Sequence, residues 1–131
     1  MSADLRITEL KLDGIVVRPS LATTTVKVTL DGNADMGSHA ALRSFFGSIE
    51  TEIRRLKAQT LELDFTQLYF MNSSCLSIFS GLISKLAAAP ASSRYRIVFR
   101  CNVKQTWQKR SIQALCSFAP DLVTSDLPSG P

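Results

Sequence analysis

Histidine and cysteine are scarce in this chain of 131 residues, which has one His and three Cys. The cysteines, Cys75, Cys101 and Cys116, are widely spaced and form no CxxC pair. We therefore interpret them as reduced thiols of the core rather than as metal ligands or a disulfide framework. The single histidine, His39, lies far from every cysteine in sequence, and we expect an exposed residue in the first turn of a helix. We predict no metal site and no cofactor.

Long apolar segments and familiar catalytic motifs are also missing. No apolar run approaches the ~20 residues of a membrane span, and the N-terminal sequence MSADLRITEL lacks the apolar core of a signal peptide. We expect a cytoplasmic protein with no direct membrane insertion. There is no Gly-rich phosphate loop, no HExxH and no GxSxG. Since no acid, base and nucleophile are predicted to lie within mutual reach, we expect a protein that is not an enzyme.

The charge balance is basic without a nucleic-acid signature. Fifteen Lys and Arg against 11 Asp and Glu give a net charge of +4. The basic residues are scattered, however, and no recognition helix, Gly-rich arm or aromatic-basic interleaving accompanies them. We interpret them as part of a mixed, solvated surface and predict no nucleic-acid partner.

Apolar periodicity predicts alternating strands and helices. In the segment TTTVKVTL, Val26, Val28 and Leu30 fall on one face, as in a half-buried strand. A helix stripe follows with Ser38 as its predicted N-cap, and either Asn72 or Ser73 caps a second helix. The predicted strands cover residues around 14–18, then 23–30, 59–64, 94–101 and 122–124, and the predicted helices cover residues 39–56, 73–89 and 106–119, with a turn at DGNADM.

The strand patterns also predict the architecture. Three strands keep a polar face, whereas strands covered by helices on both sides are apolar throughout. The helices should therefore lie mainly on one face of the sheet, and right-handed crossovers then add each strand to the same advancing edge. We predict an α/β domain whose four- to five-stranded sheet is mostly parallel, in order 1-2-3-4, with the first strand antiparallel. On the open face, Glu62 should lie between Lys27 and Arg96.

The second helix has an unusual outer face. On a helical wheel of about 100° per residue, Ser77, Ser80 and Ser84 fall close to Ser73. Two interpretations stay open: the short side chains let another protein approach closely, or serine is merely tolerated at a solvated surface. The same wheel has Ser74, Gly81 and Lys85 beside these serines, and on the opposite arc, facing the sheet, Cys75, Leu76, Ile78, Phe79, Leu82, Ile83 and Leu86.

Ser73 itself also has two interpretations. It is either only an N-cap of the helix, or a phosphorylation site. A hydroxyl at a helix N-terminus lies where free backbone N–H groups and the positive end of the dipole stabilise a phosphate. A phosphate there would add up to two negative charges at the end of the serine face and change which proteins dock.

The segment LELDFTQLYFMNSSCLSIFSGL resembles the signature of STAS domains, the family of bacterial anti-sigma factor antagonists. In that family a strand ending in Leu-Asp leads through an aromatic-Met-Asp-Ser-Ser-Gly-Leu segment into a helix. The upstream VKVTLDGNADM is similar to the second strand and following loop of the family, and the resemblance covers roughly residues 16–123. It implies one STAS-like domain over residues 1–125, followed by a disordered tail, residues 126–131.

The resemblance implies a switch that binds other proteins. Ser73, with Ser74 as second choice, would be phosphorylated by a serine kinase and anti-sigma factor of the histidine-kinase-like ATPase type. The unphosphorylated form would bind that partner and free a sigma factor, and a serine phosphatase would reset it. The implied partner surface comprises the loop 31–35 and the start and outer face of the second helix, namely Asp31, Asn33, Asp35, Asn72, Ser73, Ser74, Ser77, Ser80, Gly81 and Ser84.

Two positions depart from the family pattern. Asn72 replaces an aspartate, and Cys75 replaces a glycine. Asn72 can still cap the helix and removes a like charge beside a phosphoserine. Cys75 faces the core on the wheel, so it should not obstruct docking. The alternative function is that of an unphosphorylated STAS adaptor subunit in a transport or signalling complex.

Overall fold

Strands and helices alternate along most of the chain, and the computed structural model describes residues 5–127. Within them the structure has six strands and three α-helices. Two short 3-10 helices, Met36–Ser38 and Ala91–Ser93, lie in the connections. The elements are β1 (Leu10–Leu12), β2 (Ile15–Ala22), β3 (Thr25–Ala34), α1 (His39–Leu56), β4 (Thr60–Met71), α2 (Ser73–Ala88), β5 (Arg96–Arg100), α3 (Thr106–Ser117) and β6 (Val123–Ser125).

The strands form one mixed sheet in sequential order, β1-β2-β3-β4-β5-β6. β2 is antiparallel to both β1 and β3, whereas the pairs β3–β4, β4–β5 and β5–β6 are parallel. The predicted α/β class and the predicted order are therefore confirmed. The sheet has one strand more than the four or five predicted, because the short β1 has too few residues to show an alternation.

The hydrophobic core lies between one face of the sheet and the helices. The predicted inward residues of β3, Val26, Val28 and Leu30, are fully buried. On α2, Leu76 and Ile78 are only half-buried, and the other five predicted inward residues are buried. Edge-to-face contacts between aromatic rings, which are favourable beyond the area they bury, connect the helices to β4 and β5. The rings are those of Phe45, Phe46, Phe79, Phe65 and Phe99.

The opposite face of the sheet carries charged pairs. Lys27 Nζ lies 3.6 Å from both Glu62 Oε2 and Asp64 Oδ2. The second cation beside Glu62 is Arg100, with 3.4 Å between Nε and Oε1, so the predicted pairing with Arg96 is wrong. The parallel register explains the difference, because it sets Arg96 opposite Thr60, at the start of both strands. Such exposed pairs contribute at most ~1 kcal/mol each.

Several predicted boundaries are wrong where long-range pairing replaces local turn signals. β3 continues through Ala34, and β4 continues to Met71, because the two strands stay paired beyond two irregularities in their register. The predicted turn at DGNADM therefore begins too early. Gly32 permits the continuation: it has a φ of 125°, and a Cβ there would clash with the carbonyl oxygen of Gly14.

The structure also differs from the prediction at the start of α1 and at the beginning of the predicted tail. Asp35 accepts hydrogen bonds from the Gly37 N–H (3.0 Å) and from Ser38 Oγ (3.3 Å). Ser38 precedes α1 but makes no side-chain cap bond. At the other end, Asp126 accepts a hydrogen bond from the Cys101 N–H (2.8 Å). The first part of the predicted tail therefore contacts the domain, and residues 128–131 lie outside the described residues.

A buried carboxylate connects the N-terminal segment to the helix layer. Glu52, on α1, is 6% exposed and accepts hydrogen bonds from Arg55 Nη2 (2.8 Å) and the backbone N–H of Arg6 (2.6 Å). The hydrogen bonds from Arg55 outweigh the effect of burial. Together with the Arg6 contact, they lower the pKa of Glu52 from 4.5 to about 2.

We expect Glu52→Gln to lower the free energy of unfolding by about 1–3 kcal/mol at neutral pH, because charged hydrogen bonds are lost. Since the pKa of Glu52 is lower in the folded state, this stabilisation is present above pH 4.5 and disappears as the pH falls toward about 2. Urea unfolding of both proteins across this range measures it. Glu50→Gln is the control and should cost less than ~1 kcal/mol. Equal losses in the two variants would contradict the assignment.

Candidate functional site

The start of α2 is fixed by the residue before it. β4 ends at Met71, and Asn72 adopts an extended conformation as the N-cap. Its Oδ1 accepts a hydrogen bond from the Cys75 N–H at 2.9 Å. Asn72 is therefore the capping residue, which resolves the alternative left open by the sequence.

Ser73 is the first helical residue and is exposed. Among residues 5–127 its hydroxyl makes no hydrogen bond, so the side chain is not engaged in holding the helix start. The neighbouring Ser74 is half-buried. The interpretation of Ser73 as only an N-cap is thus wrong, and of the two serines Ser73 is the more accessible to another molecule.

Two contacts connect this helix start to the end of β3. The Asn72 N–H donates to the Ala34 carbonyl at 2.9 Å. The Cys75 thiol donates to the Asp35 carbonyl, with 3.3 Å between Sγ and O. Burial raises the pKa of Cys75, which keeps the thiol protonated as a donor. Cys75 faces the core as predicted, and it also ties α2 to the β3–α1 connection.

The structure brings together most, but not all, of the predicted partner surface. The register places Asn33 opposite Phe70 and Ala34 opposite Met71, so Asn33 and Asp35 lie beside Asn72 and the residues that follow it. Asp31 lies earlier on β3, opposite Gln67. Its Oδ2 is 3.6 Å from Arg18 Nη1. Asp31 therefore belongs to the strand and is set apart from the start of α2.

The outer face of α2 is rotated slightly from its predicted position. Ser77 and Gly81 are exposed, and so is Ser84, whereas Ser80 is half-buried. On the helical wheel the exposed arc is centred nearer Ser77 and Gly81, so Ser80 lies at its border beside Leu76. We call the exposed residues Ser73, Ser77, Gly81 and Ser84 the serine face.

Two exposed apolar side chains next to this site were missed from the sequence. Phe70 is 49% exposed at the end of β4, and Met36 is 68% exposed in the 3-10 helix after Asp35. Large apolar side chains that stay exposed beside polar groups are common at protein interaction surfaces. The signal that could have revealed Phe70 is the adjacent aromatic pair Tyr69-Phe70, because a period of two would bury one of the two. The irregular register of β3 with β4 instead buries Leu68 and Met71 and leaves both aromatic residues exposed.

A groove of about 550 Å³ runs along the serine face, between α1 and α2. Its α2 wall includes Ser77 and Gly81, and its α1 wall includes His39, Arg43 and Glu50. Glu50 Oε1 lies 3.7 Å from Lys85 Nζ across the groove. His39 is half-buried here rather than exposed as predicted. The serine face thus borders a concave surface rather than a flat one.

The described residues offer little for metal or thiol chemistry. No group of three or more His, Cys, Asp or Glu within residues 5–127 could hold a metal ion. The three cysteines are free, and burial raises the pKa of each thiol, that of Cys101 to about 12. The thiols are therefore protonated near neutral pH, when they are weak nucleophiles. None of the helices described over this range is long and apolar enough to cross a membrane.

Comparison with known proteins identifies the fold. No protein-family model matches the chain, and no curated protein sequence matches it significantly. Among solved structures, it is similar to an anti-sigma factor antagonist from Mycobacterium paratuberculosis, with a TM-score of 0.61 and 18% identity over 89% of this chain and 90% of the other. It is also similar to the anti-sigma factor antagonist SpoIIAA in its unphosphorylated form, with a TM-score of 0.56 and 19% identity over 85% of this chain and 88% of the other.

These similarities show that the chain has the STAS fold of anti-sigma factor antagonists. The predicted architecture is confirmed by this match, which extends over most of both chains.

Proposed function

We propose that this protein is an anti-sigma factor antagonist, a non-enzymatic switch that binds another protein and is controlled by phosphorylation of Ser73. The observation that carries the proposal is that capping and exposure fall on two different residues at the start of α2. Asn72 caps the helix, which leaves the Ser73 hydroxyl exposed and unbonded among the described residues. A kinase can therefore modify Ser73 without breaking any contact that holds the helix.

The local electrostatics favour a phosphate at this position. Asn72 engages the N–H of Cys75 through its side chain and that of Leu76 through its carbonyl. The N–H groups of Ser73 and Ser74 have no such partner among the described residues, and they lie at the positive end of the helix dipole. A phosphate on Ser73 would be stabilised there, and Asn72 adds no negative charge beside it.

The same phosphate would change the docking surface. Asp35 already provides a carboxylate beside the start of α2, and up to two further negative charges would make this end of the serine face strongly acidic. The apolar side chains of Met36 and Phe70 lie around it. A partner that packs on these residues when Ser73 is unmodified would have to bury the new charge, which is costly without a paired cation.

The partner class follows from the resemblance to anti-sigma factor antagonists and from the shared fold. We propose a serine kinase and anti-sigma factor of the histidine-kinase-like ATPase type, which binds the unphosphorylated protein, and a serine phosphatase that resets it. The proposed contact residues are Asn33, Asp35, Asn72, Ser74 and the serine face, with Ser80 at the border and Asp31 at the periphery.

The first test is the site of modification. Intact-mass analysis of protein purified from its native host should find one phosphate group, removed by phosphatase treatment. The group should be absent from Ser73→Ala and present in Ser74→Ala, its matched neighbour, because Ser73 is the more exposed of the two. If no growth condition yields a phosphate, the switch is refuted, and the unphosphorylated adaptor of a transport or signalling complex becomes the better proposal.

The second test concerns docking on the serine face. Ser77→Arg should weaken binding of the purified kinase partner by about a hundredfold, because an interface would have to bury an unpaired charge. Ser48→Arg is the matched control on α1, since both serines are exposed and each hydroxyl bonds a carbonyl of the preceding turn. Arginine is the better helix former, so neither variant should lose stability. Normal binding by Ser77→Arg together with loss in Ser48→Arg would place the interface on α1.

A further inference from the structure

A second concave surface lies at the end of the sheet opposite Ser73. β4 begins at Thr60 and leads to α2 at its far end, so the beginnings of β4 and β5 mark the opposite pole of the domain. A cleft of about 860 Å³ opens there, lined by Thr60 and by the connections before β4 and β5. This volume is in the range of small-molecule sites, roughly 300–1,000 Å³.

The charge of this cleft is of one sign. Its lining contains four cations and no carboxylate: Arg54, Lys57, Arg94 and Arg96. Two of these cations are engaged elsewhere. Arg54 Nη2 lies 3.6 Å from Glu50 Oε2, and the Arg94 guanidinium donates to the carbonyls of Ala89 (3.0 Å) and Ala87 (3.1 Å).

The other two cations of the cleft are Lys57 and Arg96. Within residues 5–127 neither has an ion-pair partner, and Arg96 is exposed at the first position of β5. Helix C-termini account for only part of this positive charge. α1 and α2 both end at this pole, and each contributes about half a negative charge. The Arg94 bonds already satisfy carbonyls at the end of α2, so an excess of positive charge stays in the cleft.

The remaining lining suits an anion that has several acceptor atoms. Ser92, Ser93 and Gln59 add uncharged polar groups around the two cations, and the half-buried Tyr95 forms part of the wall. Burial and, to a smaller extent, the Glu50 carboxylate raise the pKa of Tyr95 to about 12, so its hydroxyl stays protonated and adds no negative charge. Phosphate oxygens are acceptors that arginine and lysine bind through charge-assisted hydrogen bonds.

We propose that this cleft binds a small soluble anion that carries at least two linked phosphate groups, held by Lys57 and Arg96. The site is separate from the serine face, and this proposal does not depend on phosphorylation of Ser73. Two cations without partners match a ligand with more than one anionic group better than they match a single phosphate.

The test uses inorganic pyrophosphate as the probe and the full chain at constant ionic strength. In two-dimensional amide NMR spectra, pyrophosphate should shift the signals of Lys57, Gln59 and Arg96 in a saturable manner. Lys57→Gln and Arg96→Gln should each weaken binding by about tenfold or more, the equivalent of one charged hydrogen bond. Lys109→Gln, an exposed lysine on α3, is the control and should bind like wild type.

Three outcomes would overturn the proposal. The first is the absence of saturable shifts, and the second is an equal loss in Lys109→Gln, which would indicate only the net positive charge of the surface. The third outcome is binding to a lipid headgroup instead of a soluble ligand. It is measured by sedimenting vesicles that contain phosphatidylglycerol with each protein. Sedimentation of wild type that is lost in Arg96→Gln, without pyrophosphate binding, would assign the cleft to a membrane surface. Saturable pyrophosphate binding with no vesicle binding supports the soluble anion.

Discussion

The parallel pairing of β3 with β4 beyond Thr29 is the constraint on which the candidate site depends. The two strands stay paired through an irregular stretch to Ala34 and Met71, and the Asn72 N–H then bonds the Ala34 carbonyl at 2.9 Å. This bond sets where α2 begins and places Asp35 beside it.

β4 has no β5 partner after Asp64. Beyond that point the buried Gln108 side chain supplies hydrogen bonds in place of a strand, donating to the carbonyls of Phe65 (2.8 Å) and Leu68 (2.9 Å). Buried carbonyls must find a donor, so α3 indirectly supports the strand that carries the site.

This arrangement separates the residues that hold the helix start from Ser73, whose hydroxyl is exposed. Asn72 and Cys75 supply the contacts to β3 and the β3–α1 connection, and both side chains are directed to neighbours within the domain. Ser73 lies between them in sequence but on the outside. The Ser73 hydroxyl therefore lies on the surface, outside the contacts that hold the helix start. Cys75 fits this separation, because its buried thiol adds a contact to the Asp35 carbonyl and takes no part in the exposed surface.

Much of the architecture could be predicted from local patterns, whereas the details of the site depend on contacts distant in sequence. The alternation in β3 and the polar faces of three strands predicted the core and the strand order. A strand that buries one face shows apolar residues at every second position of its sequence. The segment around Gly32 was mistaken for a turn, because its Asp-Gly-Asn sequence is typical of turns and the pairing that extends it comes from β4. Arg100 rather than Arg96 pairs with Glu62 for the same reason: register between parallel strands is set by the whole sheet. Ser80 was assigned to the exposed face, because a wheel cannot show how neighbouring helices rotate the exposed arc.

The central claim is that a phosphate on Ser73 changes the surface at the start of α2 and leaves the fold intact. The most direct measurement compares amide NMR spectra and thermal unfolding of the protein with and without phosphoserine incorporated at Ser73. We expect shifts confined to residues 33–36 and 69–80, with the signals of β1, β2 and α3 unchanged and no loss of thermal stability. Shifts spread across the sheet, or a lower unfolding temperature, would show that the phosphate disrupts the contacts of Asn72 and Cys75, and would contradict the claim.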